Sequence, residues 1–213
     1  MYTVLHGFDY TDGNAPQSPL TLGTNGILYG MTTGGGTGPC INTGCGVFFS
    51  LGMGLPSYAG LVTTYGQEGS TIEILGQGFT GTTAVSFNGV SATFKVLADT
   101  YLTAVVPTSA TVGPVSVTTP HGTLTSRTSF RVLPHIASFT PTSGAVGTSV
   151  TISGSGFTQT IGIGFGDTKP AKFTVNSDSE ITATVPSGAK TGPIYIETKG
   201  GTSASTQVFT VTQ

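Results

Sequence analysis

Few side chains in this chain are able to do acid–base, nucleophilic or metal chemistry: nine Asp and Glu, three His and two Cys in 213 residues. A catalytic site needs such groups to converge and tune one another. His6, His121 and His135 have no acidic or Cys neighbour at a useful spacing, and they read as strand, turn and junction residues. Asp9, Asp12 and Asn14 offer clustered oxygen ligands of the kind Ca²⁺ takes, but the EF-hand pattern is absent and Asp12-Gly13-Asn14 is a turn formula. Glu68, Glu73, Asp178 and Glu180 read as solvated strand and loop positions; spacing alone does not assemble a glycosidase-type carboxylate pair from them. Gly34-Gly35-Gly36 lacks the Lys-Ser/Thr and the helix of a phosphate loop. There is no Trp to serve as a sugar platform, and the scattered Tyr10, Tyr29, Tyr58, Tyr65, Tyr101 and Tyr195 fit cross-strand packing. Cys40 and Cys45 are too few and too widely spaced for a zinc site or a redox Cys-x-x-Cys pair. Their plain reading is a local disulfide in an oxidising compartment, which closes a Gly-rich loop for about 2 kcal/mol. The expectation is therefore no catalytic, cofactor or metal residues, and one Cys40–Cys45 bridge.

Composition points the same way. Charged residues are 8% of the chain, against about 25% in an ordinary globular protein. Gly, Thr and Ser abound, while Val, Ile and Phe recur at regular intervals, a composition that disfavours helix and favours strand. The formal net charge of -2 and the scattered Lys and Arg provide no field for nucleic acid. No run approaches the length of a membrane span. Residues after Met1 have neither a basic nor an apolar leader pattern, so a secreted protein would be represented here by a mature form or a fragment.

The elements that would position these residues fall into three parts. In the first, Tyr2–Phe8 alternates like a strand, and Asp9–Pro19 reads as a loop. Asn25-Gly26 predicts a type I′ hairpin turn between a short strand at Leu20–Leu22 and a return strand at Ile27–Met31. A Gly-rich loop follows, then a strand at Val47–Leu51 and a linker at Gly52–Pro56. Leu5-His-Gly-Phe8, Asp12-Gly-Asn-Ala-Pro16, Gly26-Ile-Leu-Tyr-Gly30, Thr32-Thr-Gly-Gly-Gly36 and Gly44-Cys-Gly-Val-Phe48 together resemble one unit of the GloVer-type tandem repeat of bacterial secreted proteins. The resemblance implies a propeller-like array, yet this chain carries one unit. A single repeat cannot bury its own apolar face.

The remainder is one module written twice. Gly66, Gly69, Gly76, Gly78 and Phe79 recur 78 positions later as Gly144, Gly147, Gly154, Gly156 and Phe157. One residue is then gained near Asp167–Lys172, and Tyr101–Pro107 matches Glu180–Pro186 at an offset of 79. Short alternating strands punctuated by Gly and Pro predict a β-sandwich in each copy, with Phe79 and Phe157 inside. Pro141-Thr-Ser-Gly144, Gly154-x-Gly-Phe157, Phe165-Gly166 and Ile181-x-Ala-x-Val-Pro186 resemble the IPT/TIG family of immunoglobulin-like domains; the first copy departs at Val62–Tyr65.

The expected architecture is all-β, with two tandem immunoglobulin-like sandwiches at 56–133 and 134–213 after a Gly-rich β-repeat segment at 1–55. The expected function is non-enzymatic: an extracellular or cell-surface spacer or self-assembling, filament-forming subunit that uses residues 1–50 for contacts between chains. The alternative is a carbohydrate- or protein-binding accessory module whose loops Asn88–Ala92 and Thr168–Ala171 meet a glycan or surface protein. Nucleic acid is not an expected partner.

Overall fold

In the computed structural model, residues 3–38, 44–167 and 171–213 are described. The chain divides into two compact units, Met1–Tyr58 and Ala59–Gln213.

The first unit is a single small sheet. Its strands are β1 (Asn14–Pro16), β2 (Thr21–Leu22), β3 (Ile27–Gly34) and β4 (Phe48–Gly52). β3 is the centre: β4 lies antiparallel along one edge, and β2 and β1 share the other. Residues 3–8, expected to be a strand, form none and run beside the sheet without joining its ladder. The expected type I′ turn at Asn25-Gly26 is also absent, since only Gly26 takes positive φ (77°). Instead the Gly26 amide donates to the Gly23 carbonyl (3.0 Å), and the Asn25 side chain accepts the Ile27 amide (3.1 Å). That side-chain bond holds a longer loop with a single left-handed glycine. The stretch expected to be a linker folds back on this hairpin: the Tyr58 amide donates to the Thr24 carbonyl (2.9 Å) and its hydroxyl to the Leu22 carbonyl (3.1 Å).

The second unit holds both sandwiches. In the first, Phe94–Ala98, Tyr101–Val105, Thr71–Leu75 and Gly60–Leu61 form one sheet in that order, and Gly122–Thr125, Val115–Thr119, Ala84–Phe87 and Val90–Ala92 form the other. In the second, His135–Thr140, Ser149–Ser155, Glu180–Thr184 and Lys172–Ser177 face Ser143–Gly144, Thr202–Val211, Gly192–Thr198 and Thr160–Phe165. Each copy also carries one short parallel pair near its start, Tyr65–Gly66 with Arg131–Val132 and Ser143–Gly144 with Thr210–Val211. The extra residue of the second copy falls at 167–172, and 168–170 of that stretch lie outside the described residues.

Alternation explains the cores. Ile72 and Ile74, Val115 and Val117, Val150 and Ile152, and Ile194 and Ile196 point inward and are buried, as period-2 patterning requires. The aromatic centre is repeated: Phe87 meets Phe130 and Phe165 meets Phe209, each edge to face at 5.1 Å between centroids. Phe79 and Phe157 are fully buried. A Cβ on Gly76 or Gly154 would lie 2.3 Å or 2.6 Å from the Cζ of its phenylalanine, so the first glycine of each Gly-x-Gly-Phe is the floor on which the ring rests. Ser126 and Ser205 are buried twins. Each accepts an amide across the sheet (from Val115 and Ile194, 2.9 Å) and donates to a carbonyl two residues on.

Candidate functional site

The first unit is unusual in what it leaves uncovered. Its buried described residues are Gly13, Gly26, Gly30, Thr32, Gly34 and Gly35; none carries an apolar side chain larger than the Thr32 methyl. Thr32 is spent on structure, accepting the Val47 amide (2.8 Å) and donating to the Gly34 carbonyl (2.9 Å). The apolar side chains sit on two opposite faces. On one, Phe49 of β4 lies over Gly30 of β3, where a Cβ would be 2.5 Å from the ring and 2.9 Å from Leu20. Phe8 meets Phe49 edge on at 4.9 Å. Phe8, Leu20 and Phe49, with Val4, Leu5 and Leu51, line a groove of about 630 Å³. At its rim the His6 Nε2 contacts the Asp12 Oδ2 at 2.7 Å. On the other face Phe48 stacks on Tyr29 (5.6 Å, 14°), opposite Met31 in the ladder. Phe48 is 68% exposed and Met31 56%. Successive residues of a strand point to opposite faces, so Phe48 and Phe49 place an aromatic ridge and an aromatic groove on the two sides of one sheet.

The predicted chemistry-bearing residues are dispersed, with two corrections. His6 does have an acidic partner, Asp12, because the Asp9–Asn14 turn folds back to it. Asp9 organises that turn: it accepts the Thr11 hydroxyl (2.6 Å) and the Thr11 amide (3.0 Å), bonds that hold its carboxyl below the usual carboxylate range. Among the described residues no group of three or more His, Cys, Asp and Glu could hold a metal. His121 lies beside the Gly78 turn, and His135 stands in the strand His135–Thr140. Cys40 lies outside the described residues, and with it the geometry of the expected Cys40–Cys45 bridge. Thr168–Pro170 of the second expected binding loop lie there too. In the first loop, Asn88 and Gly89 both take positive φ (45° and 89°), forming the two-residue hairpin turn expected at Asn25-Gly26. The Asn88 amide is committed to the Thr111 hydroxyl (2.8 Å) and the Val112 carbonyl (3.3 Å).

The second correction concerns Glu68 and Asp178, expected to be solvated and separate. They are half-buried and meet where the sandwiches join, Glu68 from the first and Asp178 from the second. Burial, with the Asp178 carboxyl as hydrogen-bond partner and neighbouring charge, pushes Glu68 up to about 7. Asp178 is held below the usual range: burial alone would raise it, but the hydrogen bonds from Glu68 and Thr158 prevail. Two carboxyls sharing a proton can be acid–base machinery. Here their lone pairs are occupied. Glu68 accepts the Ser109 amide (2.7 Å), and Asp178 accepts the Thr158 amide (3.0 Å), the Gly156 amide (3.3 Å) and the Thr158 hydroxyl. The duplicated copy makes the role plain. Asp99 caps the equivalent bend through the Gly78 and Thr80 amides, both at 3.2 Å. Capping the Gly-x-Gly-Phe-Thr bend is thus the shared job of Asp99 and Asp178, which sequence reasoning missed although they sit 20 and 21 residues after the phenylalanine of their motif, the difference being the one residue gained in the second copy. Glu68 is the addition; Val146 stands at its place in the second copy. A further bond crosses the junction, from the Val112 amide to the Gln159 Oε1 (2.9 Å).

The fold defines a pair of tandem immunoglobulin-like sandwiches. The IPT/TIG domain profile matches residues 60–132 and 134–211, and the chain belongs to that family. Residues 1–59 lie outside the match. No curated protein matches the chain. Among solved structures it is similar to the surface glycan-binding protein PbSGBP-B of Prevotella bryantii (20% identity over 71% of this chain and 41% of that one, TM-score 0.44). It is also similar to the SGBP-B of a xyloglucan utilization locus of Bacteroides uniformis (20%, 72% and 48%, TM-score 0.34). A third is the SGBP-B of the mixed-linkage glucan utilization locus of Bacteroides ovatus, in complex with a heptasaccharide (19%, 87% and 51%, TM-score 0.30). The chain spans about half the length of these proteins or less.

Proposed function

We propose that this chain is a non-enzymatic, extracellular or cell-surface structural subunit: two rigid sandwiches act as a spacer, and residues 1–50, read as one GloVer-type repeat unit, join it to other chains. One observation carries the reading. The first unit has no buried apolar side chain among its described residues, whereas each sandwich completes a core of its own. A lone sheet with apolar faces is stabilised by covering them. The local use of Asp9, Asp99 and Asp178 in turns, and of Glu68 at a junction, supports a chain without catalysis. Analytical ultracentrifugation tests it: the full chain is expected to associate with rising concentration and residues 59–213 to stay monomeric. A full chain that remains monomeric sinks the proposal.

A second reading, a carbohydrate- or protein-binding accessory module, is favoured by one surface. On the outer face of the first sandwich, exposed Val62, Leu75 and Leu97 flank Tyr101, whose hydroxyl donates to Glu73 (2.8 Å). The second copy has Thr140, Ser153, Asn176 and Glu180 at the matching places. The fold therefore does not require the apolar strip. Binding of the chain to a glycan array, lost in Tyr101→Ala, would support this reading; an array without signal counts against its carbohydrate form.

A further inference from the structure

The two faces of the first sheet differ in shape as well as position. One is a groove lined by Phe8, Leu20 and Phe49; the other is a ridge of Tyr29, Phe48 and Met31. We propose that the interaction is heterologous: the Tyr29–Phe48–Met31 ridge of one copy seats in the Phe8–Leu20–Phe49 groove of the next. This deepens, and rests on, the self-association proposed above.

Three observations point to a second copy as the occupant. The chain itself presents an exposed aromatic ridge and an apolar groove on opposite sides of a single layer, so the ridge of one copy is available to the groove of the next. Neither surface carries a cluster of like charges: the groove's His6 and Asp12 are bonded to each other at 2.7 Å, and Tyr29, Phe48 and Met31 of the ridge include no acidic or basic side chain. The net charge of -2 adds little long-range repulsion between copies. The size fits a weak contact. β3 with eight residues, β4 with five, and β1 and β2 with three and two, make a face of roughly 300 Å² at about 3.3 Å rise and about 4.8 Å spacing. A pair of faces then buries about 600 Å², below the roughly 1,000 Å² of a stable interface and in the range of transient contacts. Such an interface is filled by association at high local concentration. A contact between opposite faces does not close on itself after two chains; it propagates until a ring forms or continues as a filament.

The test uses the full chain and substitutions at exposed positions. Met31→Glu places a charge on the ridge and leaves the groove; Leu20→Glu does the reverse. Met31 is 56% and Leu20 47% exposed, so neither change removes buried packing. Sedimentation at about 0.1–1 mM, the range for so small an interface, is expected to show species beyond dimers for the wild type and monomers for each variant alone. An equimolar mixture of the variants is expected to restore association and to stop at two chains, because one ridge and one groove remain intact and the other two are blocked. That complementation also reports that both variants fold. Phe48→Ser replaces Met31→Glu if the latter is poorly soluble, and should complement in the same way. A monomeric wild type overturns this inference together with the reading on which it rests. Association that survives both substitutions, or that is lost in both and not restored by mixing, overturns the ridge-in-groove arrangement alone.

Discussion

Replacing Glu68 by Gln should remove a specific pH dependence from the junction between the sandwiches. Glu68 moves from its ordinary 4.5 to about 7 in the folded chain, first through burial and then through Asp178. Over that window the folded state holds a proton that the unfolded state has released. Stability therefore falls as pH rises from about 4.5 to about 7: below the window both states are protonated, and above it the folded state carries the full penalty of two facing carboxylates. At about 1.36 kcal/mol per pH unit, the displacement sets a ceiling of roughly 3.4 kcal/mol. Both groups are only half-buried, and solvent screening reduces this to about 1 kcal/mol. Asp178 moves in the opposite direction, so its contribution is lost only in more acid solution, below 3.8, outside the window. In Glu68→Gln the amide donates to Asp178 at every pH, and the side-chain oxygen still accepts the Ser109 amide. Urea unfolding of both proteins at intervals from pH 5 to pH 8, followed by circular dichroism, isolates the effect. The variant should gain about 1 kcal/mol on the wild type across the range, a midpoint shift of roughly 0.3–1 M urea. Parallel curves for the two proteins would refute the shared-proton junction.

Other substitutions probe the duplicated elements. Phe157→Ala should cost about 3–5 kcal/mol by emptying a fully buried site, and Phe79→Ala about the same in the first sandwich, each read as a loss of denaturation midpoint. Ser205→Ala strands the Ile194 amide in the interior and removes the bond to the Gln207 carbonyl, a loss of about 1–3 kcal/mol by chemical denaturation. Asp99→Ala frees the Gly78 and Thr80 amides and should lower the melting temperature of the first sandwich, whereas Asp99→Asn, which keeps one acceptor oxygen, should lower it less. Thiol titration of the denatured chain should find Cys40 and Cys45 reactive only after reduction; two reactive thiols without reductant contradict the expected bridge.

The sandwiches were legible in the sequence because their physics is local and repeated. Period-2 alternation alone places Val150 and Ile152, or Ile194 and Ile196, in the core. The Gly-x-Gly-Phe spacing places Phe79 and Phe157. What stayed hidden are contacts between side chains far apart in the chain. Glu68 and Asp178 are separated by a whole domain, and no spacing announces their meeting. His6 and Asp12 are close in sequence, but their contact depends on a loop whose path is set by Asp9. The Asn25-Gly26 expectation failed for a physical reason. A type I′ turn needs both residues at positive φ, and the Asn25 side chain satisfies the Ile27 amide without it. The same dipeptide at Asn88-Gly89 does form the turn, because the strands Ala84–Phe87 and Val90–Ala92 pair right up to it.

The two halves of the chain obey one rule with opposite results. A strand buries alternate residues only if another layer covers that face. In the sandwiches two sheets cover each other, so the alternating residues vanish from the surface and acids are free to cap turns. In the first unit one sheet alternates just as well, with Phe48 and Phe49 on its two sides, but among the described residues no second sheet is built. Glycine fills its interior because the layer is too thin to enclose anything larger, and the aromatic residues are left for whatever lies above and below. The exposed aromatic faces that make this segment a poor domain are the ones we propose to join chains, and the mixing of Met31→Glu with Leu20→Glu tests both that connection and its direction.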